Sequence, residues 1–444
     1  MRRLALALGV PAALAIGQQQ LLVQLPPQLQ HLSMAPSSSG PAALQLRFSR
    51  PMERASLERG SKLVPPLRAR WLGDGSALML SLDPGQRLNQ PLQLSLNGRD
   101  QRHGALTAST WLWDPRPRLL AVVPVAGGEQ LQLRQHNGRW QPISPIWPQI
   151  AAVEPLGDGS GVVVAIQDQR RQQVWRIGLR QRNLSRLPQT LAEVQASAPQ
   201  PLGPDGALSA HLSSNRRGDL LLQLGGIEPT NNRTLWWPQG KGMQSLNLEA
   251  SGPMRLLPQG GAVVVPGSDG LGLHDLPPRP PRRQVLPGSR DLSSFCPEAG
   301  RALLTRHWPD YRRSLELVEP GQPPRQLWIG DQALVASSCS GNGERIWLAL
   351  VDGVQRPVLT LLALDRQGRV LRRARLTTWE LEPGTGLSHD PSTQTLLAAL
   401  RPMAGPGALA TSAQAPAQPV LIDATSLKLH PLAKTVTQAL WLTP

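Results

Sequence analysis

Short runs in which apolar and polar residues alternate recur along almost the whole chain, separated by turns rich in glycine and proline. Between about residues 27 and 114 the alternation is regular. Leu44, Leu46 and Phe48 form one series, then Leu67, Ala69 and Trp71, then Leu78, Leu80 and Leu82, then Leu92, Leu94 and Leu96. A period of two places every second side chain on one face of a strand, so each run is expected to turn an apolar face to a core and a Gln, Arg or Ser face to water. Only Glu53 to Glu58 reads as a helical turn. With 45 prolines and 41 glycines, no long helical period survives, and the expected class is all-β. Two sheets packed on a shared core, a sandwich of about ninety residues, account for the 27–114 segment.

From about Pro115 the pattern changes to a looser repeat. An apolar strand follows a Gly-containing turn at Leu119, Val162, Leu208, Val263, Leu303, Ile346 and Leu396, roughly every 40 to 50 residues. Among the turns are Gly157-Asp158-Gly159, Gly203 to Gly206, Gln259-Gly260-Gly261 and Gly341-Asn342-Gly343. After each strand come a second apolar strand, a polar hairpin and another strand, as in Val174 to Ile177, then Asn183, then Leu187. A four-stranded unit that buries its faces only against its neighbours is what a propeller blade requires. Seven units fit residues 115–444, so a seven-bladed β-propeller is expected, with six or eight blades compatible with the same spacing. The final run, Thr435 to Leu442, begins no unit of its own; it is expected to supply the innermost strand of the first blade beside Leu119 to Val123, removing an open edge.

Two resemblances sharpen this reading. Phe48-Ser49-Arg50-Pro51-Met52 resembles the F-S-x-P-M turn of bacterial Ig-like domains of the SbsA S-layer type. Trp71 to Gly75, Leu82-Asp83-Pro84 and Leu92 to Leu96 follow that family's later order of a Trp strand, a G-D-G turn and a strand ending in D-P. Such domains are spacers or adhesion modules, and no catalytic residue carries over. The repeat after 115 resembles TolB-type bacterial propellers, with neither a WD dipeptide nor a kelch glycine pair.

Composition changes the picture mainly through the chain start and the charge. Met1-Arg2-Arg3 precedes an apolar stretch from Leu4 to Ile16, with Ala13-Leu14-Ala15 as a small-residue cut site. This reads as a secretory signal over residues 1–17, hence an exported, periplasmic or envelope-associated protein. Membrane contact is expected only through that segment, if it is not removed. The net charge is +16, almost all from arginine, since lysine occurs only at 62, 241, 428 and 434. Such a field attracts anionic partners. The arginines are dispersed, and no nucleic-acid motif is present, so nucleic acid is disfavoured as a partner.

Candidate chemistry is sparse. Cys296 and Cys339 occupy corresponding points of consecutive units; in an oxidising compartment they could form a bridge between blades, or remain two buried thiols. They lack C-x-x-C spacing, and the eight scattered histidines form no H-E-x-x-H frame, so neither a metal nor a cofactor is expected. No nucleophile elbow or phosphate loop occurs. Asp310, Asp352 and Asp390 could converge on one propeller face. Trp175, Trp328 and Trp347 read as packing between blades, and at least one of Trp236 and Trp237 as core. The densest loop is Arg306, His307, Trp308, Asp310, Tyr311, Arg312 and Arg313, expected between the second and third strands of a blade. Arg170-Arg171 and Arg216-Arg217 are expected in similar loops. Together they suggest a face for an anionic ligand, although solvated hairpin arginines give the same pattern. The expectation is a monomeric, non-catalytic envelope protein binding a protein or an anionic envelope polymer. The alternative is a secreted propeller hydrolase or lyase acting on an acidic polysaccharide.

Overall fold

The computed structural model describes residues 25–37, 40–353, 357–403 and 415–444, so the signal expected at 1–17 lies outside the described residues. Among the described residues strands dominate, with one short α-helix, Arg54–Gly60, and one 3-10 turn at Pro229–Asn231. Among the described residues no helix is long and apolar enough to cross a membrane.

At the N-terminus two four-stranded sheets share one core. The first runs in the order Leu29–Ala35, Ala43–Phe48, Ala77–Leu82, Ala69–Leu72. The second is ordered Leu184–Arg186, Ser109–Trp113, Leu92–Leu96, Lys62–Val64. The alternation read in the sequence is the burial pattern: Leu44, Leu46, Phe48, Leu92, Leu94 and Leu96 are buried in the shared core with Trp113. The helix caps it with fully buried Leu57, which packs so closely on Gly98 that a Cβ there would lie 2.8 Å from the leucine Cδ2.

One strand of this pair is borrowed. Leu184–Arg186 belongs by sequence to the repeating region, yet Leu184, Ser185 and Arg186 pair with Trp113, Leu112 and Trp111. The hairpin expected at Asn183 therefore does not lead to the outer strand of its own sheet. The chain instead leaves the long strand Arg171–Arg182, extends the N-terminal sheet, and returns at Ala192–Ala196 to pair with Arg180 and Arg182. Around this crossing, the Asp114 N–H donates to the Asn183 carbonyl at 2.8 Å and the Leu187 N–H to the Thr110 carbonyl at 2.9 Å. Two more contacts fix the same unit to the last sheet of the ring: Leu88 N–H donates to Ser392 O at 2.9 Å, and Arg87 pairs with Asp423.

Beyond residue 115 antiparallel sheets succeed one another, each a four-stranded meander outward from an inner strand, with Gln200–Pro201 and Ser388–Asp390 each adding a fifth short strand to its sheet. Their second strands are apolar without alternation because both faces are buried. In Gly161–Asp168, Val162, Val164 and Ile166 pack toward one neighbouring sheet while Val163 and Ala165 pack toward the other. Arg345–Asp352 divides likewise, with Ile346, Leu348 and Leu350 on one side and Trp347 and Ala349 on the other. Such sheets can be satisfied only by neighbours on both sides, and the contacts close the circle. Gln149–Pro155 meets Ser209–Ser214, which meets Arg255–Leu256; Gly270–Asp275, of the same sheet as Arg255–Leu256, meets Arg290–Cys296, which meets Ala333–Cys339, which meets Ser388–Asp390. Gln438–Leu442 then touches both Ser388–Asp390 and Gln149–Pro155. That last strand pairs with Arg118–Val125, Gln438 opposite Val122 and Leu442 opposite Arg118, as the innermost strand of the first sheet. The ring is a β-propeller.

The strand at Leu208 departs from the repeat as read from sequence. Ser209–Ser214 is the inner strand of its sheet, and the doubly buried second strand is Leu220–Gly225. The excursion through Leu184–Arg186 lengthens this interval and displaced the alignment.

The Asn183–Asp114 and Leu187–Thr110 pairs place Ser185, midway between them, with its N–H facing the Leu112 carbonyl. Ser185→Pro should remove that bond and obstruct the crossing, costing about 1–3 kcal/mol of stability. Amide exchange should accelerate across Ser109–Trp113 and leave Arg118–Val125 unchanged; equal protection in both strands would show that the crossing does not hold the N-terminal sheets.

Candidate functional site

Turns between first and second strands all lie at one end of the ring, and there they surround a cavity of about 1150 Å³. Met34, Pro36, Pro41, Ala42, Trp113 and Pro115 of the N-terminal sheets and their connection form one wall; the ring supplies Glu154, Asp158, Ser214, Arg216, Arg255, Glu298, His389 and Asp390. One side is apolar and the other charged.

Each acid on the charged side already has donors. Glu154 accepts the Ser214 N–H at 2.7 Å and lies 3.9 Å from Arg255 Nη1, which also donates to the Leu212 carbonyl at 3.0 Å. Burial raises the Glu154 carboxyl above its ordinary range, opposed by Arg255 and the Ser214 N–H. Asp158 accepts from the Ser160 N–H at 3.0 Å, the Ser160 hydroxyl at 2.7 Å and Gln239 Nε2 at 3.2 Å. Arg216 reaches past the intervening turn at Pro258 to pair with Glu298. Asp390 is buried and accepts from the Ser392 and Thr393 N–H groups at 2.9 and 3.0 Å and from both hydroxyls. Burial still raises its pKa. Raised carboxyls in a cavity are a feature of catalytic sites, but these two are occupied in holding turns and inner strands together.

His389 stacks on Trp347 at 4.5 Å between ring centroids, and the Trp347 indole donates to Ala424 O at 2.9 Å. Its Nε2 is buried without a hydrogen-bond partner. Burial, reinforced by Arg345, lowers the imidazole to about 4. His136, 3.5 Å from Asp114 where the N-terminal sheets join the ring, is also lowered to about 4, chiefly by burial.

The loop singled out in the sequence lies at the opposite end, between Arg301–His307 and Arg313–Val318. The structure brings these residues together but neutralises much of the charge. Arg306 lies 3.9 Å from the Trp308 ring centroid and 3.4 Å from Glu316. His307 Nε2 is 2.7 Å from Asp291, and Arg312 binds Asp310 at 2.7 Å, holding that carboxyl below its ordinary value. Trp308 Nε1 donates to Ser314 Oγ at 2.9 Å. Arg313 opens its strand opposite His307, and Tyr311 is 94% exposed at φ 67°. Asp310 and Asp352 share this end, whereas Asp390 is at the cavity, so the three do not converge. Arg170-Arg171 falls at the end of the predicted loop type, but Arg216-Arg217 does not: its turn joins a first and second strand and faces the cavity. Trp236 is buried and Trp237 partly so.

Cys296 and Cys339 form a disulfide between the inner strands of adjacent sheets. Beside them the hydroxyls of Ser293 and Ser294 lie 2.7 and 3.0 Å from that of Ser337. Among the described residues no cluster of His, Cys, Asp and Glu is arranged to hold a metal ion.

The sequence reading missed Glu154, Arg255 and Glu298. The available signal points only to Glu298: polar residues in turns before second strands, such as Asp158, Asn215 and Glu298, are brought to one mouth by a ring, whereas Glu154 and Arg255 lie within inner strands.

A scan of protein-family models finds no match, and neither does a search of curated proteins. Solved structures with a similar course include TolB from Acinetobacter baumannii, at 12% identity and TM-score 0.39, over 66% of this chain and 77% of that one. A putative 6-phosphogluconolactonase from Bacteroides uniformis is similar at 13% identity and TM-score 0.47, over 74% and 100%. The β-propeller domain of the Trilobed protease from Pyrococcus furiosus gives 10% and 0.44, over 79% and 96%. At such values the propeller assignment rests on the strand pairing of this chain itself.

Two outcomes are expected. Folding lowers the pKa of His389 and His136, so the unfolded chain takes up protons first on acidification. Their contribution is complete above pH 6.5 and is lost as pH falls toward 4, by at most about 3 kcal/mol each. Urea midpoints measured across this window should fall with pH, and less steeply in His389→Phe. For the bridge, alkylation of the unreduced, unfolded chain should label no thiol, and replacing both cysteines by alanine should cost about 2–4 kcal/mol.

Proposed function

We propose that the chain is an exported, non-catalytic binding or scaffold protein of the cell envelope. In this reading an Ig-like sandwich of the SbsA type, residues 27–114, is fixed to a seven-bladed, TolB-like propeller spanning 115–444, acting as a monomer. Its partner is a protein or an anionic envelope polymer, and no metal or cofactor takes part.

The observation that carries the reading is the covered channel mouth. The N-terminal sheets stand over the end where the inner turns converge, tied there by a shared strand; beneath them Glu154, Asp158 and Asp390 are engaged by arginine, serine, threonine or backbone donors, and Glu298 pairs with Arg216 through one of its oxygens. A hydrolase or lyase acting on an acidic polysaccharide needs a free acid and base in reach of a long substrate. Here a substrate would have to displace the donors of Glu154, Asp158 and Asp390 first.

The test pairs binding with turnover. Purified protein should cosediment with envelope fragments in a salt-sensitive manner, and should release no new reducing ends or unsaturated sugars from uronic-acid polymers. Product release that disappears in Glu154→Gln, Asp158→Asn or Glu298→Gln would replace this reading with the enzymatic one.

A further inference from the structure

The outermost strand of each propeller sheet leaves one backbone edge to solvent, and most of these strands are brief. Trp140–Pro142, Gln244–Leu246 and Leu429–Pro431 have 3 residues each, Ala192–Ala196 and Arg283–Pro287 have 5, and Arg325–Gly330 has 6. The exception is Val370–Leu376, with 7 residues, VLRRARL. It lies last in its sheet, paired on its inner side with Val358–Asp365. Arg372, Arg373 and Arg375 are exposed, as are Val370 at 58% and Leu371 at 52%.

The charge on this edge is uncompensated. Every acidic residue of the chain lies in the described part, yet none forms an ion pair with Arg372, Arg373 or Arg375. The adjoining arginines differ: Arg369 is bound by Asp365, and Arg366 by Glu319 and Glu344. The strand alternation sends the cations to both sides. Arg373 and Arg375 stand opposite Leu362 and Thr360, while Arg372 stands opposite Ala363, on the other face. An incoming strand would meet positive charge above and below its backbone.

We propose that Val370–Leu376 is a docking edge for an extended, acidic segment of a partner protein, added as a further strand of this sheet. The inference rests on the reading of the chain as a binding protein and names the partner class. Unpaired N–H and C=O groups supply main-chain hydrogen bonds, and the arginines select acidic side chains on the added strand. The same arginines oppose pairing between two copies, because like charges would be brought together at the seam, a common protection of exposed edges. An acidic strand turns that repulsion into attraction. A polyanion without a peptide backbone would use the charge and leave the edge unpaired, which is why the extended peptide is the favoured occupant.

The test uses the full chain and an end-blocked, seven-residue peptide of valine and acidic residues, with the acids placed on both faces of the strand it would form. Its comparator has the same charges with proline at the centre, which cannot complete a ladder. The first peptide should bind and slow amide exchange in Val370–Leu376. The comparator should bind about tenfold more weakly or worse, as should Arg372→Glu/Arg373→Glu/Arg375→Glu protein with the first peptide. Should that variant melt earlier than the parent, Arg372→Gln/Arg373→Gln/Arg375→Gln provides the same contrast. Equal binding of both peptides, or binding of phosphatidylglycerol vesicles or alginate that matches the first peptide without protecting the strand, overturns the proposal. If the peptide fails while envelope cosedimentation persists in the triple variant, the docking edge is wrong and the wider binding role stands; loss of cosedimentation by the parent itself removes the wider role.

Discussion

Burial of both faces of the propeller sheets, with an apolar core at nearly every junction, is the constraint on which the structure depends. A strand such as Gly161–Asp168 exposes no apolar face to water only because a sheet stands on either side. A linear stack would leave two sheets with a bare face each. Closure removes both, and pairing of Gln438–Leu442 with Arg118–Val125 makes it part of the backbone ladder. Leu119, Ala121 and Val123 pack toward the last sheet, while Leu120 and Val122 pack toward the second. The first sheet is thus as fully enclosed as its neighbours, although Gln438–Leu442 lies some three hundred residues beyond Arg118–Val125 in the chain.

The same constraint explains which parts of the fold were legible. Doubly buried strands are continuous apolar runs, conspicuous in sequence at Leu119, Val162, Val263 and Ile346. Inner strands have one face toward the channel and alternate, as Ser209–Ser214 does with His211 exposed between buried Ala210 and Leu212. Taking LSAHL as the equivalent of VVVAI confused these two kinds of strand; Leu220–Gly225, with its run of buried leucines, was the true equivalent. The crossing strand was hidden for another reason. Three residues, Leu184-Ser185-Arg186, have too little pattern to reveal that their partner is Ser109–Trp113, more than seventy positions earlier, rather than the strand just before them.

The charged side of the cavity was illegible because no local spacing encodes it. Arg216 and Glu298 come from different sheets and meet because inner turns converge on one mouth. Sequence reasoning favoured the loop from Arg306 to Arg313 because its residues are contiguous, and contiguity is what a reader can see. Contiguity also supplied much of the compensation: Asp310 lies two residues from Arg312, and Glu316 reaches back along the hairpin to Arg306. Exposed pairs of this kind contribute little to stability, yet they reduce the charge available to an anion. A high net charge therefore says little about where an anion binds until the acids are placed.

Once they are placed, the molecule divides by function of its surfaces. The mouth carries paired charges beneath the N-terminal sheets, whose attachment through Leu184–Arg186, Leu88 and Arg87 spans sheets at the start and end of the ring. The opposite end carries the loop from Arg306 to Arg313, in which Glu316 and Asp310 match Arg306 and Arg312. The rim is open too and, at Val370–Leu376, carries arginines without an acidic partner; outer strands contribute least to the core and so tolerate the greatest variation in length and charge. Leu376 anchors the end of the arginine strand in the neighbouring core, so the strand can be long, exposed and ordered at once. An ordered edge loses less conformational entropy on accepting a partner than a flexible loop would, and that difference favours recognition at the rim over recognition at the hairpin tips.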